Sequence, residues 1–262
     1  MSYFVRNQEF AFGIDLSRYN ASADLTQKPD FGLIAAHQPR VSFIAIRSGV
    51  SWGYRDPMFA VFSRQALAIG ACVMPYHVLY PGESALKQMN NFLRILEGID
   101  LDSVRLALDV ELEHGQTRAV ITNTLLSALE LLEQETGRLP IVYSRALWVD
   151  ANLRVADLPR VDWWLAQYYY RRPFPQYTPE YPCPPRLPKG VDQWLIHQTS
   201  ERGPAIGGAG NYMDYDRWNG TEADVLAYFG RAALVNCPLD GAICPVRSAC
   251  GAEAAQCEVV AA

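Results

Sequence analysis

The residues best suited to chemistry form one short acidic motif. Asp109 and Glu111 flank Val110 at the end of a stretch, Leu106 to Glu111, in which large aliphatic residues alternate with small or acidic ones. Residues two apart in a strand point to the same face, with Cα atoms roughly 6.6 to 7 Å apart, so we expect both carboxyl groups to enter one space. Burial and mutual repulsion should then raise the pKa of one of them, which leaves one acid and one base. The alternative is a solvated strand end with ordinary surface carboxylates, which the flanking Leu-Ala-Leu argues against.

Two other acids occupy comparable settings. Asp15 follows Phe-Gly-Ile in an alternating stretch, and Asp214 lies in the polar and aromatic segment Asn-Tyr-Met-Asp-Tyr-Asp. Either acid alone would more often be a turn or cap residue, so only convergence of the set with Asp109 and Glu111 makes a site. The four histidines show no paired metal-ligand spacing, so we expect acid–base chemistry that needs neither a metal nor another cofactor.

Periodicity predicts the elements that would position these acids. Strand-like stretches alternate with helical ones, an order typical of parallel βαβ units in which large aliphatic side chains meet the helices and small or acidic ones point inward. The predicted strands are 10–17, 41–48, 72–79, 106–111, 141–144, 163–168 and 193–199. The predicted helices are 57–69, opened by Asp56-Pro57, then 84–97, 118–136 and 222–234.

The pattern changes after about Asp162. Seven prolines lie between Arg172 and Lys189, and they forbid a regular helix there. We therefore expect the last barrel strands to be joined without regular helices.

Composition excludes several classes of function. The chain has 262 residues, 50% of them hydrophobic, and a formal charge of -5, which fits one globular barrel and gives no basic field for nucleic acid. No apolar stretch approaches the ~20 residues that cross a bilayer. The opening Met-Ser-Tyr-Phe-Val-Arg lacks the basic-then-apolar order of a secretory signal, so we expect synthesis in the cytoplasm without export through its own signal.

Cysteine usage divides the chain into a barrel, 1–235, and a short C-terminal tail, 236–262. Cys72 and Cys183 stand alone, whereas four cysteines crowd the last 26 residues: Cys237, Cys244, Cys250 and Cys257. Two disulfides outside a reducing cytosol and free thiols in a loose appendage both remain open, while zinc is disfavoured because the tail has no histidine. Docking of the tail to an unknown partner is also open.

A series of motifs resembles the glycoside hydrolase family 25 lysozymes, also called Chalaropsis-type muramidases. In order along the chain, the matching pieces are Gly13-Ile14-Asp15-Leu16-Ser17, Phe43 to Arg47, Asp56-Pro57-x-Phe59, Pro75-Tyr76-His77, Leu108 to Glu111, Ile141 to Ser144, Leu165 to Tyr168, Gln198-Thr199-Ser200, Gly207 to Gly210 and Met213 to Asp216. Each piece is weak alone, but their order and spacing together are specific.

The resemblance implies an α/β fold, an irregular TIM-like barrel of five βα units followed by three strands without regular helices. It implies a lysozyme that cuts the β-1,4 bond from N-acetylmuramic acid to N-acetylglucosamine in bacterial peptidoglycan. Glu111 would be the general acid/base, while Asp109, Asp15 and Asp214 position and polarise the sugar.

Aromatic and amide side chains are expected along the cleft. Tyr76, Tyr143, Tyr168 and Gln198 belong to the matching motifs, and Trp194 is a weaker candidate; core packing is the competing role of each tyrosine. With the retained Asp109 and Glu111, we expect an active retaining enzyme, such as a phage or prophage endolysin that reaches the wall after lysis or delivery. The alternatives are a non-catalytic wall-binding component of a phage particle and a hydrolase of another N-acetylated glycan.

Overall fold

The computed structural model describes residues 10–168, 183–208, 210 and 212–231, together with the backbone of 234–236 and 243–245. Most of the predicted proline-rich segment, at 169–182, and the side chains of the four tail cysteines lie outside the described residues. Within the described part of the chain, Cys72 and Cys183 are both free thiols.

Eleven strands and six α-helices make up the described part of the chain. The strands are β1 Phe12–Leu16, β2 Val41–Val50, β3 Tyr54–Arg55, β4 Cys72–Val78, β5 Ala107–Asp109, β6 Ile141–Ser144, β7 Trp163–Ala166, β8 Ile196–Pro204, β9 Tyr212–Trp218, β10 Leu234–Asn236 and β11 Ile243–Pro245. The helices are α1 Phe31–Ala35, α2 Phe59–Ala68, α3 Ala85–Ile95, α4 Arg118–Thr136, α5 Ala146–Asn152 and α6 Glu222–Tyr228.

Eight strands close into a barrel in the order β1-β9-β8-β7-β6-β5-β4-β2, and β2 pairs with β1 to complete the circle. The strands run parallel except β9, which is antiparallel to both β8 and β1. Five βα units come first, and the described residues between β7 and β9 contain no helix. The expected irregular α/β barrel is therefore confirmed.

Side-chain alternation separates an outer core from the barrel interior. Leu108 packs in the outer cluster with helix residues such as Phe92, whereas Ala107 belongs to the interior cluster. The same division holds on β1, where Ile14 faces outward and Gly13 faces inward beneath the ring of Phe43. The strand faces predicted from the sequence are confirmed, and the acids on β1 and β5 share the inner face.

Several element ends differ from the sequence prediction. The helix α2 starts at Phe59 and not at Pro57; the buried Asp56 carboxylate accepts from Met58 N with Oδ1 and pairs with Arg47 Nε through Oδ2, both at 2.9 Å. The last helix ends at Tyr228 rather than at Leu234, two residues before Gly230 with its left-handed φ of 68°. The sequence did not reveal α1, whose five residues are too short to carry a helical period, or α5, which has no side-chain cap at its start, whereas the equally short α6 begins with a capping box at Thr221.

The helix α6 closes the end of the barrel at which the parallel strands begin. Val225 and Phe229 are buried in the interior cluster, and Phe229 packs on Trp218. No helix in the described part is long and apolar enough to cross a membrane.

Candidate active site

Carboxyl groups from three separate strands meet at the other end of the barrel. Asp109 is the last residue of β5, Glu111 follows two residues later, and Asp15 lies near the end of β1. Asp214 on β9 is the direct antiparallel partner of Asp15. The structure therefore brings together the four acids that the sequence placed in one pocket.

Gln198 links the acids to two tyrosines. Its Nε2 donates to Asp15 Oδ2 at 2.6 Å, and its Oε1 accepts from the Tyr143 hydroxyl at 2.9 Å and from the Tyr168 hydroxyl. A neutral amide that donates to the acid and accepts from two hydroxyls fixes the orientation of all four side chains.

Burial makes the inner carboxyls hold their protons. Desolvation, reinforced by the neighbouring Glu111, raises the pKa of Asp109 well above its usual range. Desolvation with the nearby Asp216 does the same for Asp15, and desolvation with the nearby Asp15 raises the pKa of Asp214 to about 9. The floor of the site is a set of carboxyls that cannot all ionise at neutral pH.

Glu111 differs because it borders solvent. About a third of its side chain is exposed (30%), and Arg145 Nη2 lies 3.6 Å from Glu111 Oε2. Partial burial raises the pKa of Glu111, while Arg145 opposes the rise and Glu201 adds to it. A carboxyl with a moderately raised pKa at the mouth can both release and regain a proton during turnover.

Aromatic rings surround the carboxyls. Tyr76 and Tyr143 both pack edge-on against Trp164, with ring centroids 5.9 and 4.8 Å away, and both are largely buried. Tyr168 is more accessible and lies under the guanidinium of Arg145 at 5.9 Å. The three predicted tyrosines therefore line the site, with Tyr168 nearest its mouth.

The structure does not bring Trp194, the weaker sugar-binding candidate, together with the acids. This residue precedes β8 at the end of the barrel opposite the acids, where its ring packs on Phe10 at 5.8 Å and on the Arg217 guanidinium at 5.6 Å. An aromatic residue near a strand signals burial but not the strand end at which it lies, so the sequence could not exclude it.

Two residues of the site were missed. Asp216 is fully buried and accepts from Trp164 Nε1 at 2.7 Å. The spacing of Asp214 and Asp216, two apart like Asp109 and Glu111, could have indicated it. Arg145 carried no sequence signal, because a single arginine after a strand is usually a solvated side chain.

A second aromatic group lies on the same rim. The Arg47 guanidinium sits 5.0 Å from the Tyr19 ring and 5.9 Å from the Tyr54 ring, and Asp56 holds it in place. Tyr19 is 71% exposed and has the guanidinium groups of Arg18 and Arg47 over its ring, so this rim presents aromatic and cationic groups to solvent.

The arrangement suits cleavage of a glycosidic bond. Such cleavage needs one carboxyl to protonate the leaving oxygen and others to stabilise an oxocarbenium-like centre. Glu111 at the mouth and Asp109 on the floor stand in the environments that these two tasks require.

Comparison with known proteins points to the same chemistry. The sequence model of the family Glycosyl hydrolases family 25 matches residues 14–208. The uncharacterized protein YegX of Escherichia coli K12 is 28% identical over 220 residues, which cover 82% of this chain and 72% of YegX.

Solved structures share the fold. A bacterial lysozyme from Streptomyces coelicolor has a TM-score of 0.66 at 20% identity, over 84% of this chain and 97% of that one. A family 25 glycosyl hydrolase from Bacillus anthracis has a TM-score of 0.63 at 18% identity, over 84% and 96%. The catalytic domain of endolysin ply40 from a Listeria monocytogenes bacteriophage has a TM-score of 0.63 at 14% identity, over 85% and 98%.

Proposed function

The chain belongs to glycosyl hydrolase family 25, and from that membership we propose that it is a muramidase that cleaves the β-1,4 bond between N-acetylmuramic acid and N-acetylglucosamine with retention of configuration. Its substrate is bacterial peptidoglycan. Glu111 is the general acid/base, and Asp109, Asp15 and Asp214 bind and polarise the reacting sugar.

The proposal rests on the difference in burial and hydrogen bonding between Asp109 and Glu111. Asp109 is 8% exposed, and its Oδ1 accepts no hydrogen bond from any residue that the structure describes. A buried oxygen in this state costs free energy unless a donor reaches it, and the amide N–H of an N-acetylated sugar is such a donor. Glu111, two residues on, has the solvent access that proton exchange needs.

The reaction then follows from the two positions. Glu111 gives its proton to the glycosidic oxygen as the bond to the muramic acid anomeric carbon breaks. The acetamide oxygen of the same sugar, oriented by Asp109, closes on that carbon from the opposite face. Glu111 next takes a proton from water as the water opens this intermediate, and the original configuration returns.

Glu111→Gln provides the central test. Glutamine keeps the size of the side chain but cannot donate a proton, so we expect turnover to fall by about 10²-fold or more while the fold is unchanged. Purified cell walls are digested, clearing is followed by turbidity, and new reducing ends are identified. Asp192→Asn, which alters an exposed carboxylate that pairs with Arg160, is the matched control.

The reducing ends separate this function from its rivals. Muramic acid ends support the muramidase, whereas N-acetylglucosamine ends or activity on chitin alone would indicate another N-acetylated glycan. Walls that bind the chain without any new ends would indicate a non-catalytic wall-binding component. Full clearing by Glu111→Gln would remove Glu111 from its role.

Retention is tested by proton NMR of the first product anomer. The β anomer is expected before mutarotation, and an initial α anomer contradicts the proposal. Intact mass during slow turnover tests the acetamide route, since a stable covalent sugar adduct on Asp109 would mean direct attack by the carboxylate.

The biological setting that we propose is an endolysin of a phage or prophage. It is made in the cytoplasm and acts on the wall after lysis or delivery. The fold shared with the phage endolysin ply40 supports this setting. Its test is expression inside a bacterial host with and without a phage holin, where rapid lysis should require the holin.

A further inference from the structure

A fifth carboxyl, Asp216, lies beneath the site and has no role in the reaction described above. On β9 it stands opposite Gly13 of β1 and opposite Gln198 of β8. Asp15 follows Gly13 by two residues on the same inner face, so Asp216 is its diagonal neighbour across the strand pair. Because Gly13 has no side chain, nothing on β1 comes between the two carboxyls.

The partners of Asp216 account for only one of its oxygens. Oδ1 accepts from Trp164 Nε1 at 2.7 Å, whereas Oδ2 is buried and accepts from no N–H or O–H group of the described residues. The groups that act on the Asp216 carboxyl are Trp164 on β7, Asp214 on its own strand and Asp15 on β1. Asp15 in turn faces Asp214 and Asp216 on β9 and Tyr76 on β4. Buried carboxyls this close repel one another unless at least one keeps a proton, and a neutral carboxyl can donate that proton to its neighbour.

The Asp15 side chain has neighbours on two strands. Gln198 Nε2 on β8 donates to Asp15 Oδ2 at 2.6 Å, while on β9 Asp214 stands directly opposite Asp15 and Asp216 lies diagonally below it. Trp164, which also packs against Tyr76 and Tyr143, anchors Asp216 in turn. A line of contacts therefore runs from the interior core to an acid expected to touch the substrate.

We propose that Asp216 is a positioning residue that holds Asp15 toward the substrate through a proton shared between the two carboxyl groups. The consequence for turnover rests on the proposed function, whereas the shared proton does not. Burial supports the pairing, since desolvation raises the pKa of both carboxyls well above their usual range.

Two substitutions separate a positioning role from a structural one. In Asp216→Asn the amide oxygen still accepts from Trp164 and the amide nitrogen donates permanently to Asp15, so the geometry stays while the titratable proton is lost. Asp216→Leu fills a similar volume but removes both contacts. The matched control is Asp162→Asn, which alters a carboxylate that accepts from Tyr228 at 2.8 Å at the other end of the barrel.

The first measurement is independent of activity. The full chain is labelled with ¹³C at aspartate carboxyls and titrated by NMR, with Asp15 assigned from Asp15→Asn. In Asp216→Asn we expect the Asp15 midpoint to fall by about one pH unit or more, because a like charge is replaced by a donor. The Asp162→Asn chain should leave that midpoint in place, and an unchanged midpoint in Asp216→Asn would overturn the proposal.

The second measurement is turnover of peptidoglycan against pH. Asp216→Asn should keep kcat within about tenfold of the wild type but shift the acid limb of the profile, whereas folded Asp216→Leu should lose at least about tenfold in kcat at similar KM. Equal activity of the two variants, or a loss that asparagine does not rescue, would contradict the positioning role. If the wild type releases no muramic acid ends, the muramidase assignment fails while the NMR result still decides whether the proton is shared.

Discussion

In the proposed mechanism Glu111 is the general acid/base, and its pairing with Arg145 should affect the pH range in which it works. Arg145 lies 3.6 Å from Glu111 and favours the ionised carboxylate, which opposes the effect of burial on its pKa. Arg145→Gln should therefore raise the pKa of Glu111. A general acid must be protonated, so the alkaline limb of the kcat profile should move to higher pH, by roughly half a unit or more.

The profile is measured with soluble peptidoglycan fragments at constant ionic strength. Arg160→Gln is the control, because it removes a guanidinium from a similarly long but remote surface pair with Asp192. A limb that stays in place, or moves toward acid, would show that Arg145 does not act on the proton of Glu111.

Asp214 links the site to stability. Burial beside Asp15 raises its pKa to about 9, so the folded chain keeps a proton that the unfolded chain releases above its ordinary pKa. Folding stability therefore falls as pH rises between these two values, by up to about 1.4 kcal/mol per pH unit from this group. Asp214→Asn cannot lose a proton and should decline less steeply than the wild type between pH 5 and 8.

Urea unfolding at several pH values provides the measurement. Asp192→Asn, whose side chain is 78% exposed in the wild type, should retain the wild-type slope. Parallel curves for the wild type and Asp214→Asn would mean that Asp214 is ionised in the folded chain.

The site residues that could be predicted from the sequence are those in a local pattern of periodicity or spacing. Those that were missed belong to the site only through tertiary contacts. Asp15 and Asp109 could be placed because strand alternation fixes the face of each side chain, and Glu111 was found by its spacing from Asp109. Arg145 acts on Glu111, which lies in a loop distant along the chain, and no local pattern contains that pairing. For Trp194 the aromatic character was read correctly but the end of the barrel was not.

Among the elements, β1 is the strand whose packing against the barrel interior most directly affects the position of an acid, Asp15. A Cβ at Gly13 would lie 2.3 Å from the Phe43 ring, which is itself packed on Trp218. Gly13→Ala should therefore displace β1 or the ring, cost about 1–3 kcal/mol of stability, and lower kcat because Asp15 moves with the strand.

Gly53→Ala is the matched control, because its Cβ would meet nothing within 4 Å. Thermal melting and kcat are compared for both variants. Equal melting temperatures for Gly13→Ala and the wild type would show that the Phe43 ring or β1 can move aside at little cost in stability, which contradicts the prediction.

Elements were predictable in proportion to their length and periodicity. The 19-residue helix α4 was placed at both ends, because Thr117 caps its start and Gly137, at a φ of 69°, ends it. The prediction for α2 placed its start two residues early, although Asp56 does cap the turn that precedes the helix: its Oδ1 accepts from Met58 N while its Oδ2 pairs with Arg47. Strand β5 ends at Asp109, so Glu111 reaches the site from the loop that follows and not from the strand.

At the scale of the whole molecule, the open question is the residue at which the folded barrel ends and the tail begins. The tail from 236 was separated by composition alone, and Phe229 and Arg231 are the last described side chains that contact the barrel. Arg231 Nη1 donates to the Gly70 carbonyl at 3.0 Å, and Phe229 is 1% exposed in the interior cluster. We therefore predict that a chain ending at Arg231 retains wild-type kcat and melting temperature.

A chain ending at Asn219 is the contrasting variant. It lacks α6, so Trp218 loses its cover and the burial of Val225 and Phe229 is lost, at about 1.5–3 kcal/mol for each side chain. We expect this chain to aggregate or to melt at a much lower temperature. Circular dichroism and wall digestion are measured on both. If the chain ending at Arg231 folds but cannot digest walls, then residues beyond 231 take part in substrate binding, and the division of the molecule into a barrel and a dispensable tail is wrong.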